Sequence, residues 1–139
     1  MSQSAYIQFV EGSSVESLSL DELKEYLLKY KEQLALTGKQ LGWEYEDAGF
    51  PYSIETKPEG EGKWFYLKGK EQRYKYIVLG VGNRTVNDKE RHYVQVVLPD
   101  DATHGDKGKG NELCKHLAKQ LKAELHLFNG RKMYYNPRK

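Results

Sequence analysis

The stretch Tyr93-Val-Gln-Val-Val-Leu98, followed by Pro99-Asp-Asp-Ala-Thr-His-Gly-Asp-Lys-Gly-Lys-Gly110, decides how the chain is interpreted. Its first six residues are rich in β-branched side chains and predict a strand. The charged, glycine-rich part that follows predicts a loop. We expect a helix from about Asn111 to Lys122 and a second strand over Glu124-Leu-His-Leu-Phe128. A loop between a strand and a helix start is a common place for a binding site.

Two strands are predicted upstream of this stretch. Lys63-Trp-Phe-Tyr-Leu-Lys68 and Tyr74-Lys-Tyr-Ile-Val-Leu-Gly-Val81 are rich in aromatic and β-branched residues. A polar loop from Gly82 to Glu90 would connect the second of them to the strand described above. Three successive strands with short polar links predict an antiparallel meander. The apolar runs Ile77-Val-Leu79 and Val96-Val-Leu98 predict that the central strands are covered on both faces.

The clearest helix signal lies closer to the N-terminus. Ser19 and Glu22 have the spacing of a capping box, in which each residue bonds the backbone of the other. Leucine and tyrosine side chains then recur every three or four residues and predict an amphipathic helix over about Leu20 to Leu36. Thr37-Gly38 predicts its C-terminal end.

Shorter signals complete the expected fold. Ala5-Tyr-Ile-Gln-Phe-Val10 alternates as a strand, and Tyr52-Ser-Ile-Glu-Thr56 predicts an edge strand. Asn129-Gly130 predicts a tight hairpin that leads into Lys132-Met-Tyr-Tyr135. The prediction is an α+β fold with two helices packed on a mainly antiparallel sheet of six or seven strands. We expect one globular domain over residues 1–139.

Composition excludes several classes of protein. The 139 residues carry a formal net charge of +2 and one cysteine, Cys114, so an internal disulfide is excluded. Without a secretory segment, this predicts a cytoplasmic protein. No apolar run approaches the ~18 residues of a membrane span. The position of Cys114 on the apolar stripe of the second helix predicts a small buried side chain.

The glycine-rich loop predicts a weak anion site. Its residues are Lys107, Gly108, Lys109, Gly110 and Asn111. The first N–H groups of a helix starting at Asn111 would lack intrahelical acceptors, so an anion could satisfy several of them. The two glycines would let it approach the backbone, and the two lysines would add charge. The same loop contains Asp and His side chains without the spacing of a known metal motif, so no metal ligand and no cofactor are predicted.

The strand, loop and helix together resemble the acetyl-CoA-binding motif of the N-acetyltransferase superfamily, whose loop reads Arg/Gln-x-x-Gly-x-Gly/Ala. The resemblance implies that backbone amides near Gly108 and Gly110 hold a pyrophosphate. When the two glycine positions of the motif are aligned with Gly108 and Gly110, its Arg/Gln position falls on Gly105. When the motif is moved along so that its Arg/Gln position falls on Lys107, its last small position falls on Glu112. An acyl-CoA-dependent enzyme is therefore one alternative function, and no catalytic residue is assigned.

The distribution of charge suggests a second alternative. Residues 1–62 contain 5 Lys/Arg against 12 Asp/Glu, and residues 102–139 contain 9 against 3. A basic C-terminal third ending in Arg131-Lys-Met-Tyr-Tyr-Asn-Pro-Arg-Lys139 could bind the phosphates of RNA and stack its bases. Because the net charge is small for a nucleic-acid binder, attraction between the two ends of one fold explains the same asymmetry.

Over nearly its full length the chain resembles a small family of Bacillus-type bacterial proteins known as a domain of unknown function. The segments that carry this resemblance are Ser2-Gln-Ser-Ala-Tyr-Ile7, the leucine-rich helix, Gly49-Phe-Pro-Tyr-Ser-Ile54 and Lys57-Pro-Glu-Gly60. The resemblance implies a cytoplasmic single-domain protein. We predict a soluble, non-enzymatic domain that binds a ligand or protein partner, which could be a second copy of the chain.

Overall fold

The computed structural model describes residues 3–41, 52–60, 62–70 and 72–135. The strands described there form one seven-stranded sheet in the order β2-β3-β4-β5-β1-β6-β7, with antiparallel pairing between all neighbours. The predicted α+β fold is confirmed. In chain order the elements are β1 (Gln3–Gln8), α1 (Leu20–Leu41), β2 (Tyr52–Glu55), a 3₁₀ turn (Pro58–Gly60), β3 (Trp64–Gly69), β4 (Tyr76–Val86), β5 (Lys89–Leu98), α2 (His104–Leu121), β6 (Glu124–His126) and β7 (Lys132–Tyr134).

Both helices lie on the same face of the sheet, which we call the helix-covered face. Every second side chain of a strand points to one face, and on this face most of those side chains are buried, except at the far end of β4 and β5, where Asn83, Thr85 and Glu90 are exposed. α2 contacts β1, β4, β5 and β6. α1 contacts β3 through Lys24, whose ammonium lies 5.3 Å from the ring centroid of Phe65. The fully buried strand residues of this face include Ala5, Ile7, Tyr52, Phe65, Leu67, Ile77, Leu79, Val94, Val96 and Leu125.

α1 begins where the capping box predicts. The backbone N of Ser19 donates to Glu22 Oε1 at 3.1 Å, and the backbone N of Glu22 donates to Ser19 Oγ at 3.1 Å. The helix continues to Leu41, so the predicted end at Thr37-Gly38 is wrong. A glycine inside a helix costs about 1 kcal/mol relative to alanine, which is too little to end a helix by itself.

β4 and β5 are longer than predicted and form a two-stranded ribbon. The predicted polar loop from Gly82 to Glu90 is wrong, because residues 82–86 continue β4 and residues 89–90 begin β5, all of them paired across the ribbon. The connection is a two-residue turn at Asn87 (φ 52°) and Asp88 (φ 65°). Both residues are in the left-handed region, as a type I′ turn requires. The polar residues of this segment therefore lie in strands, and their side chains alternate between the two faces of the ribbon.

α2 begins at His104 rather than at about Asn111, so that part of the prediction is also wrong. Its N-cap is Thr103, whose Oγ1 accepts from the backbone N of Asp106 at 3.0 Å. In return, Asp106 Oδ2 accepts from the backbone N of Thr103 at 3.1 Å. This is a second capping box, with aspartate in place of the more usual glutamate or glutamine.

Two of the three glycines of α2, Gly105 and Gly110, reflect close packing against the rest of the fold, whereas a Cβ on Gly108 would meet nothing within 4 Å. A Cβ placed on Gly105 would lie 2.6 Å from the carbonyl oxygen of Arg73. A Cβ on Gly110 would lie 3.3 Å from Leu98 Cδ2 and 3.4 Å from Phe128. The helix therefore comes closer to its neighbours at these points than a larger residue would allow. Packing outweighs the low helix propensity of glycine, which is the signal that had predicted a loop.

Candidate functional site

The five residues of the predicted anion site lie inside α2. The backbone N of Lys107 donates to the carbonyl oxygen of Thr103 at 3.0 Å, so its N–H group is already satisfied. Lys109 is only 8% exposed, and its ammonium lies 2.8 Å from Glu112 Oε2. The premise of free N–H groups at Lys107, Gly108, Lys109, Gly110 and Asn111 is therefore wrong. Anion binding at these residues stays a prediction that depends on the lysine charges alone.

The true start of α2 contains a buried carboxylate, that of Asp106. Tyr52 Oη donates to Asp106 Oδ1 at 2.5 Å, and the backbone N of Lys75 lies 3.1 Å from both carboxylate oxygens. Burial and the neighbouring Asp106 raise the pKa of Tyr52, so its hydroxyl remains a donor. With the bond from Thr103, the carboxylate joins α2 to β2 and to the residue before β4. The group stabilises the fold and occupies the positive end of the helix, where an acyl-CoA pyrophosphate would have bound.

A second polar cluster lies between the two helices. Tyr30 Oη donates to Glu112 Oε1 at 2.5 Å, and the Tyr30 and His116 rings are 4.7 Å apart. Burial alone would raise the pKa of Glu112, but hydrogen bonds from Lys109 and Tyr30 outweigh it and lower that pKa. Burial lowers the pKa of His116. These contacts hold α1 against α2.

The opposite surface of the sheet, which we call the open face, has a different composition. No helix of the described residues lies over it, although the apolar runs in β4 and β5 had predicted covered strands on both sides. Its side chains alternate with the buried ones, and most of them are half-buried or exposed. The aromatic residues on it are Tyr6, Trp64, Tyr66, Tyr76, Tyr93 and Tyr134.

Arg84 is at the centre of one aromatic cluster on this face. Its guanidinium carbon lies 5.2 Å from the ring centroid of Tyr6 and 5.5 Å from that of Tyr93. The two rings form an edge-to-face pair with centroids 5.4 Å apart. Arg84 Nε donates to Gln8 Oε1 at 2.9 Å, and its Nη2 donates to the same oxygen. Directly across the ribbon lies Arg91, which brings a second positive charge to the same side.

Glycines in β4 make room for the aromatic rings. A Cβ on Gly82 would lie 2.7 Å from Tyr93 Oη, and one on Gly80 would lie 3.3 Å from Trp64 Cβ. A glycine inside a strand marks a close approach by another group. Because Gly80 and Gly82 are two residues apart, they lie on the same face of the sheet. They leave a shallow depression in the sheet surface between the side chains of Trp64 and Tyr93.

Trp64 lies between two concavities. The smaller, about 280 Å³, is on the open face and is lined by Trp64, Val78, Gly80, Gln95 and Val97. The larger, about 670 Å³, is at the start of α1, where its lining includes Ser19, Lys24, Lys57 and Trp64. The indole is therefore accessible from the open face and from the edge of the sheet.

Basic residues surround the aromatic surface. The ammonium of Lys57 lies 5.3 Å from the ring centroid of Tyr66, which in turn pairs with Tyr76 at 5.8 Å. On the open face itself the strands carry five Lys and Arg against two Glu, a net charge of +3. The five are Lys68, Arg84, Lys89, Arg91 and Lys132, and the acidic residues are Glu55 and Glu124. Glu124 lies 2.8 Å from His126.

Other residues singled out from the sequence fall in different places. Cys114 is fully buried, as predicted, and burial raises its pKa to about 12. Within the basic tail, Lys132 and Tyr134 lie on the open face, whereas Tyr135 packs against the core and residues 136–139 lie outside the described ones. In the part of the chain that the structure describes, no three His, Cys, Asp or Glu side chains are close enough to hold a metal ion.

The sequence contained a signal for the open face that the prediction missed. In one predicted strand Gly80 and Gly82 are separated by a single apolar residue. In the strand before it, Trp64 and Tyr66 are also separated by one residue. Alternating glycine and aromatic residues at period two indicate one face with rings and room between them. The pairing that brings Arg84 beside Tyr6 could not be found, because it depends on which strands are neighbours.

Comparisons with known proteins agree with this picture of the fold. A family model described as a domain of unknown function (DUF1885) matches residues 3–137. A crystal structure of a protein of unknown function from Bacillus stearothermophilus is 40% identical, covering 87% of this chain and 91% of that chain with a TM-score of 0.57. No curated protein matches the chain. No helix in the described ranges is both long and apolar enough to cross a membrane.

Proposed function

The chain belongs to the DUF1885 family of domains of unknown function, and for it we propose a non-enzymatic role: binding single-stranded nucleic acid on the open face of the sheet. The observation that carries this proposal is the position of Arg84 over the rings of Tyr6 and Tyr93. This position places a positive charge directly beside two aromatic rings that can stack with bases. Single-stranded binders use this combination, because bases stack on aromatic rings and cations contact the phosphates.

The aromatic residues support stacking because two of the six are exposed and the other four are half-buried. Tyr76 is 40% exposed and Tyr134 is 50% exposed, which is high for side chains of this size. In a typical core, rings are buried and mainly stabilise the fold. Each base stacked on an aromatic side chain is worth about 1–3 kcal/mol. The open face offers several such rings along neighbouring strands.

The charges support a polyanionic ligand. Arg84 and Arg91 lie directly opposite each other on one side of the ribbon, and like charges at such positions destabilise a strand pair. A phosphate between them would convert this repulsion into two favourable contacts. With the net charge of +3 on the face, we expect a single strand to be attracted at long range. A protein partner with an acidic surface would be attracted in the same way, and the test below separates the two.

The proposal includes a cytoplasmic location. It is supported by the presence of one cysteine in the sequence, which is fully buried and so inaccessible to a disulfide partner on another molecule. A reducing compartment is where proteins without disulfides are normally found.

The test is fluorescence anisotropy with a labelled 12-nucleotide single strand of mixed RNA sequence. We expect a Kd on the order of 10⁻⁵ M at physiological salt, and a log–log salt slope of about −4 for six phosphate contacts. The double variant Arg84→Gln/Arg91→Gln should weaken binding at least fivefold. The matched control is Lys107→Gln/Lys115→Gln, which removes the same charge from exposed positions of α2.

Two results would overturn the proposal. One is the absence of binding at 50 mM salt, which would leave a protein partner as the ligand of this face. The other is an equal loss of affinity in the two double variants. The second result would mean that net charge, and not the open face, governs the interaction.

A further inference from the structure

The concavity beside Trp64 contains a polar group with unused capacity. Gln95 Nε2 donates to Ser4 Oγ at 3.1 Å and lies 3.3 Å from Tyr6 Oη. With Nε2 bonded in this way, Gln95 Oε1 has no hydrogen-bond partner among the described residues, and Gln95 is one of the residues that line the 280 Å³ concavity. An amide oxygen accepts hydrogen bonds and cannot donate them.

The rest of the concavity suits a flat, mainly apolar group. Val78 and Val97 lie at equivalent positions of β4 and β5 and form its floor together with Gly80. The indole of Trp64 forms one wall, and a Cβ on Gly60 would lie 2.5 Å from this ring. The packing against Gly60 holds the indole in place. Ligand pockets combine an apolar lining with a few fixed polar groups in the same way.

Building on the proposed function, we propose that this concavity receives one unpaired base of the bound strand and that Gln95 Oε1 accepts a hydrogen bond from an amino group on its edge. The base lies against Trp64 and above Gly80, and the strand continues toward Arg84 on one side. Sequence-specific recognition of RNA commonly reads the edges of unstacked bases in this manner.

The chemistry of the edge determines which base is preferred. Cytosine presents an exocyclic amino group, which is a donor, whereas uracil presents a carbonyl oxygen at the same position. In the orientation that the structure shows, the amide oxygen of Gln95 can accept a hydrogen bond from the first and is repelled by the second. One hydrogen bond contributes about 1 kcal/mol net, so we expect the site to favour cytosine over uracil by about fivefold.

The experiment compares oligocytidine and oligouridine 12-mers by anisotropy at pH 7.5. The wild-type protein should bind oligocytidine about fivefold more tightly. Gln95→Met, which keeps an unbranched side chain of similar length without the amide, should bring the ratio close to one while oligouridine still binds. The control is Gln120→Met, the same substitution at an exposed position of α2, and it should leave the ratio unchanged.

The outcomes distinguish this inference from the proposed function. If both 12-mers bind equally to the wild-type protein, or if the preference survives Gln95→Met, the inference is wrong and binding by the open face stands. If neither 12-mer nor the mixed-sequence strand binds, the proposed function fails and the inference fails with it. A preference lost equally in both variants would also contradict a role for Gln95.

Discussion

The two faces of the sheet are made from adjacent residues of the same strands, yet their compositions differ sharply. On β3, Phe65 and Leu67 are fully buried beneath the helices, while Trp64 and Tyr66 lie half-buried on the other side. The helix-covered face is mainly apolar and tightly packed beneath the helices, where Tyr52 donates to the buried Asp106. The open face carries rings, amides and cations that a stable core does not need. We infer that the first face provides stability and that the second is available for binding.

The largest expected effect separates the faces at neighbouring residues of β3. Phe65→Ala should lower the free energy of unfolding by about 3–5 kcal/mol, because it leaves a cavity in the core. Tyr66→Ala should cost much less, since its ring is partly solvated already. Chemical denaturation of both variants measures the difference. Equal losses would mean that the open face is part of the core.

The next effect concerns the buried carboxylate. Tyr52→Phe removes only the hydroxyl that donates to Asp106, and a hydrogen bond to a charged group contributes about 1.5–3 kcal/mol. We expect a loss of about 2 kcal/mol. Tyr66→Phe is the matched substitution on the open face, and it should change the stability by less than about 0.5 kcal/mol. A negligible effect of Tyr52→Phe on the denaturation midpoint would contradict the role assigned to Asp106.

A smaller effect is expected at the start of α1. Ser19→Ala removes the hydroxyl that accepts from Glu22 N, and the loss of an N-cap typically costs about 1 kcal/mol. Because this cap is exposed, water can replace part of the bond, unlike at Asp106. Urea denaturation should therefore show a lower midpoint with an unchanged slope. An unchanged midpoint would mean that the bond contributes nothing measurable.

The smallest effect is a pH dependence in the helix layer. Burial lowers the pKa of His116 below its usual 6.5, so the unfolded chain binds its proton more readily than the folded one. Stability from this group is therefore complete above about pH 6.5 and is lost as the pH falls toward the folded pKa. His116→Gln should reduce the fall in stability between pH 7.5 and 5.5. An NMR titration that gives His116 a pKa above 6.5 would contradict this.

The two helix starts show how far sequence reasoning could reach. Ser19 and Glu22 follow the usual capping-box pattern, precede a regular apolar stripe, and were identified correctly. Thr103 and Asp106 form the same box, but aspartate is an unusual partner and the glycines that follow predict a loop. The reason for glycine at positions 105 and 110 is tertiary packing, because Gly105 and Gly110 are in contact with other parts of the fold. Local signals could not reveal it.

The candidate site was harder to predict than the fold. The strands, their antiparallel pairing and the Asn129-Gly130 hairpin follow from local patterns, and the structure confirms them. In the surface around Arg84, Tyr6 and Tyr93, Arg84 and Tyr93 come from consecutive strands, but Tyr6 comes from β1, which is far away in the sequence. Only the strand order brings Tyr6 beside the other two. Composition had indicated Lys132 and Tyr134, elsewhere on the open face, through the basic tail.

The most direct test of the central claim is an NMR titration with the mixed-sequence 12-mer that follows side-chain signals. Such signals report one face of a strand, whereas backbone amides respond to changes on both. We predict that the largest shifts occur at the indole N–H of Trp64, the side-chain amide of Gln95 and the Nε–H of Arg84. Shifts centred instead on residues 107–111 of α2, or no shifts at low salt, would contradict the claim that the open face binds the strand.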